Sequence, residues 1–308
     1  MRRFGKRMAL RWRLAASVLT VAVFAAAVVA VASGAPRPPV LKAGNPSGIV
    51  FAHGSGHGPP PGHGKSPDLI YHTGTVMNTA AITSIFWGNW SSPDDKISGL
   101  DTFYGGISGS KYLSTNTEYG DPFGDTVKGT ATYTGQLADA NGWTSRKAPT
   151  TADVLSVVSD TLAANSQKPV ADGYYPVYSD EVRGHNSYCA WHSWGTIGGV
   201  LVQFAFFFNL DNDPSCTPQN SYDSSHSQGL AALANVSGHE LSEALTDPHG
   251  DAWYDSSGEE NADKCAWTFS GHLLSFGSSS WQIQGNWSNN AYDNGQTGYA
   301  SGGCIDGS

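Results

Sequence analysis

The sequence predicts an α/β domain: a mixed β-sheet with flanking helices (α/β/α layers), a loop-rich C-terminal portion and two disulfides. Three observations carry this expectation. A strand-like segment near residues 75–90 runs directly into a helical one, and a continuous apolar run at residues 200–208 has the texture of a strand buried on both faces. Four cysteines follow an N-terminus built like a secretion signal.

Six of the seventeen basic residues (Arg2, Arg3, Lys6, Arg7, Arg11 and Arg13) precede a charge-free run at residues 14–35, in which Ala30-Val31-Ala32 supplies a small-x-small cleavage site. This is the layout of a signal peptide over residues 1–32. The run is also long enough to cross a bilayer, which takes about 20 apolar residues, so an uncleaved membrane anchor is the second reading. Cleavage leaves eleven basic side chains against twenty-six acidic ones, a net charge of −15. Such a surface repels nucleic acid and anionic lipid. The expectation is a secreted protein, extracellular or cell-wall associated, with no nucleic-acid partner and no membrane partner after signal cleavage. Residues 33–67, rich in Pro and Gly with His53, His57 and His63 among them, read as a flexible linker. Residues 68–308 then form a single domain.

Within that domain TVMNTAAITSIFWGNW is a strand ending in a turn. Ser92 is a natural N-cap for a helix with Ile97, Leu100, Phe103 and Tyr104 on one face. A second helix spans Thr151–Ala164, where Val154, Leu155, Val158 and Leu162 align. KPVADGYYPVYSDE and GTIGGVLVQFAFFFNL read as strands, and the last clear helix runs from about Gln228 to Thr246. Beyond it Gly, Ser, Asn and Trp dominate, which suggests loops and short strands. Cys189, Cys216, Cys265 and Cys304 allow three pairings; the most local joins Cys189 to Cys216 and Cys265 to Cys304. Without a CxxC spacing, neither a zinc ribbon nor a redox pair is indicated.

The last helix contains GHELSEALTDPHG, which begins like the H-E-x-x-H of zinc proteases but has Glu243 at the second histidine position. With Leu230 as zero on a helical wheel, Leu233, Ala234, Ser237, Leu241, Ala244 and Leu245 lie within about 60°, while His239 falls at about 180° and Glu243 at about 220°. His239 and Glu243 therefore stack one turn apart, where one ion can touch both. Glu240, at about 280°, stands beside them, the place for a general base acting on water next to a metal. Imidazole and carboxylate are both ordinary zinc ligands. For the third ligand the order of segments favours Glu260 in SSGEENADKCAW, with Asp263 orienting a histidine. Asp247 is the alternative, although Pro248 draws it out of helical geometry. His192, just before the apolar run, is a further candidate ligand. The competing readings are a solvated His/Glu pair on a polar helix face, and a structural calcium loop of Asp251, Asp255, Glu259 and Glu260 around Gly258.

The stretches YHTGTVMNTAAITSIFWGNWSS, SYCAWHSW, HELSEALTDP and ENADKCAW together resemble a group of secreted bacterial proteins distantly related to the plant EXORDIUM family, also called phosphate-induced proteins, over residues 69–304. The resemblance implies an extracellular α/β module associated with cell-wall growth. Its bacterial branch implies a metallopeptidase-like site, carried here onto His239, Glu240, Glu243, Glu260 and Asp263. The plant members generally lack the His-Glu pair. The resulting expectation is a secreted zinc-dependent hydrolase, a peptidase acting on a peptide or wall-associated substrate. The rival is a non-catalytic module that stacks wall polysaccharide on tryptophans such as Trp281 and Trp287. No Gly-x-Ser-x-Gly is present to suggest a serine hydrolase.

Overall fold

The computed structural model describes residues 39–56, 68–90, 94–218, 223–296 and 302–308. The expected signal segment, Ser92, His57 and His63 lie outside these residues. In chain order the elements are β1 (Leu41–Ala43), β2 (Ser47–Phe51), β3 (Ile70–Tyr71), β4 (Ala80–Trp87), α1 (Asp95–Ile107), α2 (Lys111–Ser114), β5 (Ala131–Asp139), α3 (Thr151–Ala164), β6 (Gly173–Val182), β7 (Tyr188–Ile197), β8 (Val200–Asn209), α4 (Gln228–Thr246), β9 (Trp253–Tyr254), β10 (Leu274–Phe276), β11 (Ser279–Trp281), β12 (Asn286–Trp287), α5 (Asn289–Asp293) and β13 (Cys304–Ile305).

Seven strands make the mixed sheet. Strands β5, β4, β6 and β8 run parallel in that order, β7 is antiparallel beside β8, and β1 and β2 pair antiparallel with the outer edge of β7. The run at 200–208 is interior as expected, with Val202 to Phe208 buried between β6 and β7. Its upstream boundary differs from the expectation. Gly195, Thr196 and Ile197 belong to β7, and Gly198 (φ 59°) and Gly199 (φ 90°) make the hairpin turn. Two successive residues at positive φ are what a two-residue β-hairpin needs, and Gly-Gly supplies them.

Helices flank the sheet. Helix α3 packs on one face, where Leu155 lies under Gly195. It starts with a capping box in which Thr150 and Asp153 bond each other's backbone amides. Helices α1 and α4 share the other face. There the hydroxyls of Tyr104 (α1), Tyr178 (β6) and Ser237 (α4) form a buried chain with steps of 2.9 and 2.7 Å. Asp94 rather than Ser92 caps α1, accepting from the Lys96 amide at 2.9 Å. The expected pairings Cys189–Cys216 and Cys265–Cys304 are both formed.

One expectation about organisation is overturned. Residues 33–67 are not a linker throughout, because residues 39–56 are part of the same compact unit as the rest of the domain. Strands β1 and β2 complete the sheet, and Val50 and Ala52 are buried in its core. The compositional reading failed because Gly and Pro around a short pattern of alternating burial masked it. The correction has a measurable consequence. A chain beginning at residue 68 should be less stable than one beginning at residue 33 by at least about 2 kcal/mol, the value of burying one valine, as read from denaturant midpoints. Equal midpoints would restore the tether reading.

Candidate functional site

Helix α4 begins at a Ser227 cap that accepts from the Leu230 amide at 3.2 Å, and its residues from Gly229 to Thr246 are all buried. Its polar stripe is therefore inside the protein, which removes the reading of His239 and Glu243 as a solvated pair. His239, Glu240, Glu243 and Asp247 have no solvent exposure.

Three segments meet this stripe. The first is the short 3-10 turn Asp263–Cys265, anchored by the Cys265–Cys304 disulfide. Its Asp263 amide donates to Glu243 Oε1 at 2.8 Å. The second is β7, whose His192 points to the α4 face. The third is β2, where Gly48 (φ +50°) passes so close that a Cβ there would lie 1.9 Å from Glu243 Oε2 and 2.7 Å from His192 Nε2. Only glycine meets both the close approach and the positive φ.

The outcome is a cluster of buried His and carboxylate groups that could hold a metal ion. His239 Nε2 lies 3.0 Å from Glu243 Oε1 and 3.4 Å from Asp263 Oδ1. Both oxygens are within ion-pairing reach of this nitrogen, so the three atoms stand side by side. His239, Glu243 and Asp263 form one group with ligand-spaced atoms, and His192, Glu240 and Glu243 form a second, overlapping one. Neither oxygen of Glu240 has a hydrogen-bond partner, nor do Glu243 Oε2, Asp247 Oδ2 or His192 Nδ1. Buried polar atoms are normally satisfied, and this concentration of orphans in one place fits a cation as their missing partner.

The third acidic position differs from the sequence expectation. Asp263, not Glu260, stands beside His239 and Glu243; Glu260 instead lies 3.3 Å from His192 Nε2. Of the two acids, Asp263, the expected alternative ligand, is the one grouped with His239 and Glu243. Residue order could not separate them, because they are three apart on one loop and the turn between them decides which reaches the helix. Asp247 closes the end of α4, with Oδ1 accepting from the amides of Asp251 and Ala252 at 2.7 Å each. The calcium-loop reading also loses Asp255, which is committed to Lys264 Nζ at 2.8 Å and to the amides of Ser257 and Glu259.

Gln284 was not singled out from the sequence. Its Nε2 donates to the Ala262 carbonyl at 2.8 Å and lies 2.9 Å from His239 Nδ1, fixing the ring. With that end of the amide facing it, Nδ1 accepts in the neutral ring; the charged ring, like one holding a cation at its other nitrogen, carries a proton on Nδ1 and requires the amide to turn and present its oxygen. Asn235 Oδ1 accepts from the Gln284 amide at 2.8 Å. Asn261 is held through Asn116 to Ser242 of α4, at 2.7 and 3.2 Å. A lone Gln or Asn in a loop-rich stretch carries no spacing signal, so only the folded chain reveals these positions.

The electrostatics follow from burial. Burial, then the neighbouring Asp263 charge, pushes Glu243 up to about 7. Burial also raises Glu240, and it raises Glu260 together with the nearby Asp247 and Glu243 charges. Asp247 rises to about 6 through burial, and Glu259 to about 7 through burial and Asp263. His192 falls to about 3, first from burial and then from His239 and His249. For His239 burial opposes the charged form, but Glu243, Asp263 and Glu240 outweigh it and raise the ring.

A cleft of about 340 Å³ opens onto the cluster. Its lining includes Pro46, Ser47, Gly48 and Ile49 from the N-terminal segment and Asp247, Glu259, Glu260 and Asp263 from α4 onward. No family model, no curated protein and no solved structure matches this chain. Among the described residues no helix is long and apolar enough to cross a membrane.

The raised carboxyls bind protons more tightly in the folded chain than in the unfolded one. Their stabilising contribution is complete below the ordinary value of 4.5 and is lost as pH rises through about 7. His239, also raised, adds the same sign above its ordinary value of 6.5. His192, lowered to about 3, and the lowered His249 and His53 work the other way up to 6.5, but they oppose five raised carboxyls, which set the net sign. The melting temperature of cation-free protein should therefore fall as pH is raised from 4.5 to 7. A divalent cation should restore it at the upper end, as seen by calorimetry. A melting temperature that rises over that interval, with or without cation, would contradict this electrostatic account.

Proposed function

We propose that the protein is a secreted divalent-cation-dependent hydrolase acting on peptides, with zinc as the first candidate ion. The observation that carries this reading is the group of fully buried His239 and Glu243 with the partly exposed Asp263, beside a Glu240 carboxylate with no partner. One nitrogen and two carboxylate donors suit zinc or manganese. When bound, such an ion supplies Lewis acidity toward a carbonyl and toward water.

The remaining steps belong to the chain. Glu240 takes the proton from the attacking water, and burial raises its proton affinity above that of an exposed glutamate. His192, held neutral, lies 3.3 Å from Glu260 Oε2 and 3.9 Å from Glu243 Oε2, where its Nε2 can orient these carboxylates. Gln284 fixes His239, and the Cys265–Cys304 disulfide holds the turn that delivers Asp263. The two disulfides fit an oxidising extracellular environment. The EXORDIUM resemblance adds a wall-associated setting to this proposal.

The rival sugar-binding reading loses the two tryptophans named as examples for it. Trp281 is buried between His226 and Phe103, and Trp287 is buried beside Tyr292, so neither offers an open face to a sugar ring.

Metal analysis after exposure to zinc should find about one ion per chain, the stoichiometry of one closed ligand set, and none in His239→Ala. Glu240→Gln should keep the ion and the fold while lowering peptide hydrolysis by about 10²–10⁴, the usual value of a general base. Wild-type protein that carries no ion after exposure to zinc and manganese would end the proposal. So would a Glu240→Gln protein as active as a wild-type protein with measurable hydrolysis.

A further inference from the structure

Residues 41–53 follow the outer edge of β7 along its length. Leu41, Lys42 and Ala43 pair with Ile197, Thr196 and Gly195, and the Gly44 amide donates to the Trp194 carbonyl at 2.8 Å. Ser193 Oγ donates to the Asn45 carbonyl at 2.8 Å. Ser47, Val50 and Phe51 then pair with His192, Ala190 and Tyr188, and the Ala52 amide donates to the Ser187 carbonyl at 2.9 Å. From the other side Trp267 Nε1 donates to the Phe51 carbonyl at 2.9 Å, so the segment is gripped between the sheet edge and the C-terminal loops. The ladder slips between Ser47 and Val50, and Gly48 crosses the buried cluster at that slip.

We infer that the outer edge of β7 is the docking strand for an extended peptide, and that residues 46–51 fill it in cis as an inhibitory segment. The inference takes the cluster to be the hydrolytic site proposed above. Its support is the coincidence of three features at one place: an antiparallel strand laid on an edge, a glycine passing within contact of Glu243 and His192, and a cleft whose lining includes Glu259, Glu260 and Asp263. Strand addition draws its affinity from main-chain hydrogen bonds and its selectivity from alternate side chains. A peptide can make those bonds, and a polysaccharide cannot. The acidic lining selects a neutral or basic peptide, and the crossing point selects glycine. The segment is followed by HGPPPGHGKSP, residues 57–67, which contains no Ala, Val, Leu, Ile, Met, Phe, Tyr or Trp. Cleavage of one bond there separates the segment from the body of the domain.

The test uses the full chain with a site-specific protease sequence replacing residues 57–64, compared before and after nicking. The probe is a fluorescent synthetic peptide of residues 39–56, read by anisotropy, alongside cleavage of an unfolded protein substrate. A tethered segment competes at an effective concentration of about millimolar. The intact chain should therefore take up the probe at least about a hundredfold more weakly than the nicked one. A probe carrying Gly48→Val should not bind, and a full chain carrying Gly48→Val should take up the wild-type probe without nicking.

Equal uptake by intact and nicked protein, or no uptake by nicked protein with the probe in excess, would overturn the inference. If the Gly48→Val chain does not fold, the nicked wild type decides alone. Uptake without hydrolysis by the nicked, zinc-loaded protein would sink the hydrolase reading and leave the docking edge standing.

Discussion

Carboxylates resist burial, and this fold buries several of them around one point. Glu240 and Glu243 are fully enclosed on α4, Glu260 nearly so, Asp247 closes the helix end, and Asp263 comes in from the C-terminal loop. An ionised carboxylate removed from water and left unpaired costs several kcal/mol even after local relaxation. The two histidines cannot meet that cost, because burial keeps His192 neutral and only His239 is driven toward its charged form. Either protons or a cation must supply the missing positive charge. The elements around the cluster can be understood as the means of holding so unfavourable an arrangement together.

The holding is distributed. The sheet gives a rigid platform, and the Tyr104, Tyr178 and Ser237 hydroxyl chain fixes α4 against it. Ser242, two residues from Glu240 and on a different side of α4, receives Asn116 and Asn286, which lock the C-terminal loops onto the helix. The Cys265–Cys304 disulfide then ties the turn bearing Asp263 to β13, close to the chain's end. A loop-rich region is poorly suited to precise positioning, and these covalent and hydrogen-bonded ties supply what regular secondary structure would otherwise provide.

The N-terminal strands give the site a second character. Because β1 and β2 cover the outer edge of β7, an edge that would otherwise invite pairing with any extended chain is closed. The same strands bring Gly48 onto Glu243 and His192, so protecting the sheet edge and covering the cluster are one structural act. Access to the site and completeness of the sheet are therefore coupled.

The sequence by itself determined the elements whose signals are local. The helices Thr151–Ala164 and Gln228–Thr246, the interior strand at 200–208 and the pairing of nearby cysteines were legible, because helical spacing, apolar runs and short loop closure are properties of neighbouring residues. It also placed His239, Glu240 and Glu243 together, since one helical turn separates His239 from Glu243. Tertiary structure alone decided that the polar stripe of α4 is buried, that Asp263 rather than Glu260 stands beside His239, and that residues 39–56 belong to the sheet. Each of these depends on which segments distant in the chain come to lie against α4 and β7. Contacts of that kind leave no periodicity in the chain that makes them.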